Sequence, residues 1–292
     1  MKGVDTMKLV FGDAHAHSSP LGMGAAAIAR KFAEKGGWFM ALVMLPPWHY
    51  GLGMRSGFEM YVNAIDIHLR ECREAREAGL RVACLAGFHP AEVDKLISAG
   101  LSPEDVLSLG LRVVEYVAKM CRQGLLDGIG EVGRQHYRTM PERVAIASTI
   151  MIRALEYARD NDCIVHLHLE NAGPVTVDTT AKLVELVSVP KNRVLFHHAS
   201  TRVASHAAAS GYWATIAGKK ELMKRVFEEI GVKHIMIESD YIDDPKRPCV
   251  SSCPWEIIDR QLELLNNGIV DENVLYSVNV DNIVEFYRVE PP

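Results

Sequence analysis

The stretch Ile164–His198 reads IVHLHLENAGPVTVDTTAKLVELVSVPKNRVLFHH and contains one copy of a pattern that repeats along the chain. Its two ends, 164–168 and 193–197, have the length and the apolar composition of buried strands, and a helix is predicted between them at 178–188. A helix that separates two short strands favours a parallel pair joined by a crossover connection. The stretch therefore predicts an α/β fold.

The same alternation of strand and helix runs through all 292 residues. Eight strands are predicted, at Leu9–Asp13, Phe39–Met44, Arg81–Ala86, Gly128–Glu131, Ile164–His168, Arg193–His197, Tyr212–Ile216 and His234–Glu238. Helices are predicted near 23–35, 58–78, 103–123, 141–160, 178–188, 218–230, 254–266 and 271–287, with a short Ala-rich segment at 201–209. Eight such units predict one (β/α)₈ TIM barrel that spans 1–292 as a single domain. An open doubly wound sheet is the alternative.

The composition is that of an ordinary globular protein, with 48% apolar and 24% charged residues. The net charge of −5 provides no general attraction for nucleic acid, although a local basic pocket is compatible with it. The first residues lack the apolar segment of a signal peptide. The longest apolar run, Trp38–Leu45, is far shorter than the ~18 residues of a membrane span. We therefore expect a cytoplasmic protein with no membrane partner.

Side chains that can bind a metal ion stand at the ends of five predicted strands. They are, in chain order, His15, His17, Glu131, His168, His197 and Asp240. In a barrel the carboxyl ends of all strands open at one mouth, where barrel enzymes carry out their chemistry. The sequence therefore predicts a single site built from side chains that are far apart along the chain.

Strand geometry supports metal binding at this mouth. Alternate residues of a strand point the same way at a spacing of about 6.6 Å, so His15 and His17 both face the barrel axis and can converge on one ion. A lone His-x-His is a weak signal, but six ligand-type residues at five strand ends predict a metal centre. Imidazole and carboxylate ligands together suit zinc, manganese, iron or cobalt.

Motifs along nearly the whole chain resemble those of the TatD-like metal-dependent hydrolases of the amidohydrolase superfamily. That family has D-x-H-x-H, G-x-H-P, G-E-x-G, two single-histidine strands, E-[TS]-D and a closing N-x₄-[FY]. The matching residues here are Asp13–His17, Gly87–Pro90, Gly130–Gly133, His168, His197, Glu238–Asp240, and Asn282 with Tyr287. Two further stretches, GRQHY at 133–137 and ESDYIDDPKRP at 238–248, are similar to an archaeal branch of the family.

The resemblance implies two divalent metal ions as cofactors. His15 and His17 would hold the first ion, and His168 and His197 would hold the second. Glu131 would bridge the two ions, in the place where other branches of the superfamily use a carboxylated lysine. Zinc is the expected metal, with Mn, Mg, Fe or Co as alternatives.

Asp240 would complete the first metal site and would also act as the catalytic residue. A bridging hydroxide between two metal ions is a nucleophile at neutral pH. By resemblance, Asp240 would orient that water and accept its proton as the general base.

Two histidine assignments leave a neighbour as an alternative. His166 shares a strand face with His168, so either could bind metal, and the motif register favours His168. The motif also favours His197 over His198, which points the other way on a strand. His198 is expected to contact either the substrate or one of the side chains that bind metal.

Positions around the substrate depart from the family pattern. The family has G-E-I-G-L-D-Y where this chain has Arg134 and Gln135, and its H-x-R motif is replaced by one ending in Glu170, which removes a cation. We expect the substrate to contact four side chains: His89, Arg134, His198 and Tyr241. Lys246 and Arg247 are further candidates for binding an anion, and the loop PPWHY at 46–50 is a candidate cover for the site.

Three functions are compatible with these residues. The leading one is hydrolysis of a phosphate ester or phosphodiester in a small molecule, a nucleotide or DNA, which would include a DNase. The second is hydrolysis of an amide, lactone or cyclic imide, because the same metal pair can attack a carbonyl group. The third is a catalytically inactive binding barrel, against which the intact ligand set argues. The sequence leaves the oligomeric state open.

The six cysteines fall into two groups. Cys249 and Cys253 form a C-x₃-C pair after Asp240, and we expect a structural thiol pair or disulfide rather than a catalytic role. The other four are expected to be small buried apolar side chains in a reducing cytosol: Cys72, Cys84, Cys121 and Cys163.

Overall fold

Eight parallel strands form the barrel in the computed structural model, which describes residues 9–53 and 57–292. Each strand pairs in parallel with the next one along the chain. The strands are β1 (Phe11–Ala16), β2 (Gly37–Val43), β3 (Arg81–Ala86), β4 (Gly128–Gly133), β5 (Ile164–His168), β6 (Val194–Phe196), β7 (Trp213–Ala217) and β8 (Ile235–Glu238). The prediction of a single-domain (β/α)₈ TIM barrel is confirmed, and the open doubly wound sheet is wrong.

The barrel closes between β1 and the residues that follow β8. The backbone N–H of Asp240 donates to the His15 carbonyl at 3.0 Å, and that of His17 donates to the Tyr241 carbonyl at 2.8 Å. Ala16 and Tyr241 form a parallel bridge at the same level. Because closure happens at the mouth, it brings Asp240 beside the two histidines of β1.

Helices surround the barrel and follow the predicted positions with two exceptions. They are α1 (Ala25–Glu34), α2 (Phe58–Glu77), α3 (Pro90–Ser98), α4 (Pro103–Arg122), α5 (Pro141–Asn161), α6 (Pro174–Val187), α7 (Thr201–Ala209), α8 (Lys220–Glu229), α9 (Pro254–Asn266), α10 (Glu272–Tyr276) and α11 (Asn282–Tyr287). Short 3₁₀ turns occupy Pro47–Tyr50 and Lys191–Arg193. Five of the helices, α3 to α6 and α9, begin with proline, which tolerates the first helical turn.

The first exception is α3, for which no helix was predicted, and the second is the final helix. The predicted helix at 271–287 is divided into α10 and α11 by a π-helical turn at Ser277–Asp281. Within the described ranges, no helix has the length and hydropathy that crossing a bilayer would require. Residues 1–8, part of the start that was expected to lack a signal peptide, lie outside the described residues.

Two apolar layers hold the barrel together. The larger layer lies between the strands and the surrounding helices. The smaller one fills the barrel itself with side chains such as Phe39, Leu85 and Trp213, and Phe286 and Tyr287 of α11 pack against it from the end of the chain. A filled barrel of this kind is a core and not a channel, so the chemistry is confined to its mouth.

Two disulfides join four of the six cysteines. Cys249 bonds Cys253, in agreement with the expected structural pair. Cys72 of α2 and Cys84 of β3 are buried as expected, but they bond each other, so the expectation that they are only small apolar side chains is wrong. The reason is tertiary, because α2 packs against β3 and brings together sulfurs that are 12 residues apart. Cys121 and Cys163 are free thiols.

Replacing both Cys249 and Cys253 with Ser is expected to lower the melting temperature by a few degrees and to leave turnover unchanged. A disulfide that closes so short a loop contributes about 2 kcal/mol by the chain-entropy relation. Thermal melts beside a turnover assay measure both effects. A large loss of turnover in a variant that keeps its metal ions would contradict a purely structural role.

Candidate metal centre

Glu131 stands at the centre of the barrel mouth, with histidines on both sides of its carboxylate. Its Oε1 lies 3.5 Å from Nε2 of His15 and 3.5 Å from Nε2 of His17, while its Oε2 lies 2.6 Å from Nδ1 of His168. Atoms bound tetrahedrally to one zinc ion at ~2.1 Å are about 3.4 Å apart. The spacing on the Oε1 side therefore suits a cation between Glu131 and the two histidines of β1.

His15 provides the most direct test of whether a metal fits. Its ring has no exposed surface, and its Nε2 has no hydrogen-bond partner among the described residues. An unpaired buried nitrogen is costly unless something outside the protein chain satisfies it. The residues present therefore fit a divalent ion bound at this nitrogen.

His17 and His197 are oriented by partners behind them. Nδ1 of His17 lies 2.8 Å from the Val43 carbonyl, and Nδ1 of His197 lies 2.7 Å from Oε2 of Glu238. Each Nδ1–H can donate to its partner, which leaves Nε2 bare and directed at the centre, as in the histidines of known metal sites. Burial lowers the pKa of His17 to about 3, so this ring is neutral and ready to bind at ordinary pH.

His168 contacts His136, which was not among the predicted site residues. Its Nε2 lies 2.7 Å from Nδ1 of His136, and burial lowers the pKa of His168 to about 3. His136 stands in the loop after β4, five residues beyond Glu131. It belongs to the GRQHY stretch already noted, so its position beyond a ligand strand was an available signal.

Asp240 and His198 share an uncommon backbone conformation. Their φ angles are 49° and 41°, in the left-handed region that residues other than glycine rarely adopt. Such strain is concentrated at functional sites, where the surrounding structure enforces it. Oδ1 of Asp240 lies 3.9 Å from Nε2 of His17 and 3.8 Å from Nε2 of His197. Burial raises the pKa of Asp240 to about 6.

Glu131 stays ionised in this environment. Burial alone would raise its pKa, but the imidazoles of His89 and His197 outweigh that effect and hold the pKa well below its ordinary value. A carboxylate that remains charged inside a ring of imidazoles is suited to share its two oxygens between cations.

The structure distinguishes the members of the two histidine pairs, His166/His168 and His197/His198, between which the sequence left the metal ligand open. His168 reaches Glu131, whereas His166 lies behind the site with its Nδ1 3.0 Å from Nδ1 of His15. His197 is placed with His15 and Asp240, and its Nε2 is also 3.6 Å from Oε2 of Glu131, on the side of His168. His197 thus lies between the His15 side and the His168 side of Glu131.

Two of the four expected substrate contacts, His89 and His198, line the cavity above the centre. Nε2 of His198 lies 3.2 Å from Nδ1 of His168. Nδ1 of His89 accepts the Ala91 N–H at 3.0 Å and caps α3, so the neutral ring carries its proton on Nε2. That Nε2 is 3.4 Å from Oε2 of Glu131. His89 is therefore arranged as a hydrogen-bond donor at the centre.

The structure does not bring Arg134 and Tyr241 to the cavity. Arg134 donates two hydrogen bonds to Glu170, at 2.8 and 2.7 Å, so its charge is already paired. Tyr241 is buried and donates its hydroxyl to Asp243. Lys246 and Arg247 are exposed, and Arg247 pairs with Asp244. None of these four side chains lines the cavity.

A cavity of about 720 Å³ opens above the metal-binding side chains. The 46–50 loop, predicted as a candidate cover for the site, contributes Trp48 and His49 to the cavity wall. Three cations that were not predicted as site residues also line it: Lys95, Lys219 and Arg225. Lys219 stands two residues after β7, so its position at a strand end was a usable signal. Nothing in the sequence marked the other two, which lie on helices.

Comparisons with known proteins agree with this architecture. The chain is 26% identical over 292 residues to an uncharacterized protein of Methanocaldococcus jannaschii, covering 98% of this chain and 99% of that protein. The TatD-like protein of Archaeoglobus fulgidus has a similar structure, with a TM-score of 0.65, 17% identity, and coverage of 96% of this chain and 100% of that one.

Two bacterial structures show the same fold. The TatD homologue YjjV of Escherichia coli has a TM-score of 0.65 and 15% identity, with 96% of this chain and 98% of that one covered. A mutant PTE-like lactonase of Deinococcus radiodurans has a TM-score of 0.62 and 14% identity, with 97% and 96% covered. The sequence model of the TatD-related DNases matches residues 12–288, which include every proposed metal ligand. The chain therefore belongs to the family of TatD-related DNases.

Proposed function

We propose that this protein is a divalent-metal-dependent hydrolase that cleaves a phosphate ester or a phosphodiester. The observation that carries the proposal is the position of Glu131, whose two carboxylate oxygens face imidazoles on opposite sides. Two divalent ions bound there would acidify a water and stabilise both the attacking and the leaving oxygen. Zinc is the proposed metal because the ligands are imidazoles and carboxylates, with Mn, Mg, Fe or Co as alternatives.

Asp240 is the proposed general base. Its side chain is 29% exposed and lines the cavity, so it can reach a water there, whereas Glu131 is buried among its histidines. His89 holds a proton on Nε2 beside the centre, so it can donate a hydrogen bond to an oxygen of the substrate.

The cations of the cavity wall indicate an anionic substrate. Lys95, Lys219 and Arg225 line a space whose volume is within the range of sites for small ligands. We propose a substrate of nucleotide size, either free or at the end of a DNA strand. A cytoplasmic setting, predicted from the sequence, is part of the same proposal.

Turnover of a small substrate panel by the metal-loaded protein tests this function. The panel contains p-nitrophenyl phosphate, bis-(p-nitrophenyl) phosphate, a single-stranded oligonucleotide, p-nitrophenyl acetate and a lactone. A kcat/KM that is highest for one of the phosphate compounds supports the proposal. Preference for the acetate or the lactone would contradict the proposal that a phosphate ester or phosphodiester is the bond cleaved. Absence of any turnover would favour a catalytically inactive binding barrel.

Replacing Lys219 with Ala is expected to raise the KM for the phosphate substrate about tenfold, because the cavity loses a cation at its wall. The KM for an uncharged lactone should stay unchanged. Lys220→Ala is the matched control, since the neighbouring Lys220 pairs with Glu263 and does not line the cavity. Equal effects of the two variants would argue against an anion site at Lys219.

A carbonyl substrate is the second candidate, and the apolar part of the cavity favours it. Leu45, Pro46, Trp48, Leu222 and Ile242 line the space together with the three cations. An apolar wall with one cationic side chain that binds an anionic group would accept a lactone, an amide or a cyclic imide. The structurally similar D. radiodurans protein is a PTE-like lactonase, and the substrate panel separates this candidate from the first.

Metal affinity is expected to weaken as the pH falls below about 6. Because the pKa of Asp240 is raised to about 6, a proton competes with the metal for this carboxylate below that pH. His17 and His168 have pKa values lowered to about 3, so both rings remain neutral over this pH range. Competition with a chelator at pH 7.5, 6.5 and 5.5, corrected for protonation of the chelator, measures the effect. Asp240→Asn should remove this dependence, and an equally steep loss in that variant would assign it to another group.

A further inference from the structure

We propose that His166 and Tyr287 form a buried relay that fixes the tautomer of His15 and thereby positions it as a metal ligand. The proposal rests on the proposed function, since it concerns the first metal site of that function. Neither residue lines the cavity, and both are buried behind His15. They are positioning residues that act through His15.

The direction of each hydrogen bond follows from one carbonyl group. The Tyr287 hydroxyl lies 2.6 Å from the Ala14 carbonyl, which can only accept, so the hydroxyl proton must point there. The same oxygen lies 3.1 Å from Nε2 of His166 and is left to accept a proton from it. His166 therefore carries its proton on Nε2, and its Nδ1 is bare.

The bare Nδ1 of His166 sets the state of His15. The two Nδ1 atoms are 3.0 Å apart, so one of them must carry a proton and the other must accept it. Since His166 is the acceptor, His15 carries its proton on Nδ1. Its Nε2 is then free of a proton, and this is the unpartnered nitrogen beside Oε1 of Glu131. Only that tautomer can bind a metal ion at Nε2.

Packing explains why the relay holds one arrangement. His15 and His166 are fully buried, and their rings meet edge to edge, with centroids 5.2 Å apart and planes 29° from parallel. Gly130 gives His166 its space, because a Cβ at this position would lie 2.9 Å from the Cβ of His166. On the other side His166 packs against the rings of Phe286 and Tyr287. A buried polar chain is tolerated when every member is paired, and here only Nε2 of His15 is left for the metal.

The tautomer of His15 in the wild-type, metal-free protein is the direct readout. Long-range ¹H–¹⁵N correlation spectra of protein labelled at histidine distinguish a proton on Nδ1 from one on Nε2. A His15→Asn variant identifies the signals of this ring. We expect the proton on Nδ1 of His15 and on Nε2 of His166. The opposite tautomer at His15 would overturn the relay.

Tyr287→Phe tests the relay through metal affinity. Loss of the hydroxyl leaves both tautomers of His166 open, and loss of such a supporting partner weakens metal binding about 10- to 100-fold. Tyr212→Phe is the matched control, because it removes a buried tyrosine hydroxyl that has no hydrogen-bond partner among the described residues. It should bind Zn²⁺ as tightly as the wild type. Melting temperatures recorded beside the titrations show whether either variant is folded.

Two substitutions at His166 separate positioning from packing. His166→Asn retains an oxygen near the place of Nδ1 that can accept from His15, so it should keep most of the metal affinity. His166→Leu fills similar space without an acceptor and should lose about 10- to 100-fold. Equal Zn²⁺ affinity in both variants and the wild type would overturn the relay alone. A wild-type chain that binds no divalent ion would overturn the proposed function and the positioning role together.

Discussion

Asp240→Asn is expected to lower turnover at least a hundredfold while the metal ions remain bound. Asparagine keeps the shape of the side chain and one oxygen that can bind metal, but it cannot accept a proton. General acid–base catalysis is worth about 10²–10⁴-fold in rate, which sets the expected size of the loss. The backbone N–H of Asp240 closes the barrel at the His15 carbonyl, and its side chain lines the cavity, where it can reach a reacting water.

The assay must report metal content beside the rate, since lost metal would otherwise be mistaken for lost chemistry. Asp244→Asn is the matched control, because Asp244 stands four residues farther along the same loop, pairs with Arg247 and does not line the cavity. It should turn over at nearly the wild-type rate. Near-normal turnover by Asp240→Asn with full metal occupancy would mean that another group accepts the proton.

Replacing both His15 and His17 with Ala is expected to abolish tight metal binding at one of two sites. Both Nε2 atoms lie 3.5 Å from the same oxygen of Glu131, and no partner within the described ranges binds Nε2 of His15. The side of Glu131 that faces His168 is left intact, so one ion should remain. Turnover should fall to the background level, because two-metal chemistry needs both ions.

A double variant with His49 and His206 replaced by Ala is the control for this experiment. It removes the same number of imidazoles, one from the cavity wall and one from an exposed position where it pairs with Asp178. We expect it to bind as much metal as the wild type. If elemental analysis gives the same stoichiometry for the His15 and His17 double variant, these two residues are not metal ligands.

The strands of this fold were predictable because each one is a short apolar run with a clear end. β3 and β5 begin and end at the predicted residues. The small helix α3 was not predicted, since its nine residues begin at Pro90, inside a motif interpreted only for its histidine. A proline at the first position of a helix and Glu92 in its first turn are recognisable helix signals, so the missing helix could have been found.

The break in the last helix could not have been found from periodicity. Asn279 donates its side-chain amide to the Leu275 carbonyl at 2.8 Å, and its side-chain oxygen accepts the Gly12 N–H at 3.1 Å. The second bond joins residues that are 267 positions apart. A π-helical turn held by such a tertiary contact leaves no local pattern in the sequence.

The candidate site was predictable to the extent that strand ends determine it. Arg134 was predicted to contact the substrate because it lies three residues after Glu131. A cation near a metal ligand does not by itself indicate an anion site. Glu170 stands two residues after β5, next to the loop that carries Arg134, and it pairs with the arginine. Glu170, which replaces the arginine of the family pattern, is thus also the residue that neutralises Arg134. The cations of the cavity come from other elements.

Anomalous diffraction from crystals grown with zinc is the measurement that tests the metal centre most directly. Data collected on both sides of the zinc absorption edge locate every bound ion without reference to activity. We predict two anomalous peaks at the barrel mouth, one between Glu131 and the histidines of β1 and one beside His168. A mouth without anomalous signal in a protein whose His15 and Glu131 occupy the positions described would contradict the metal centre and the hydrolase built on it.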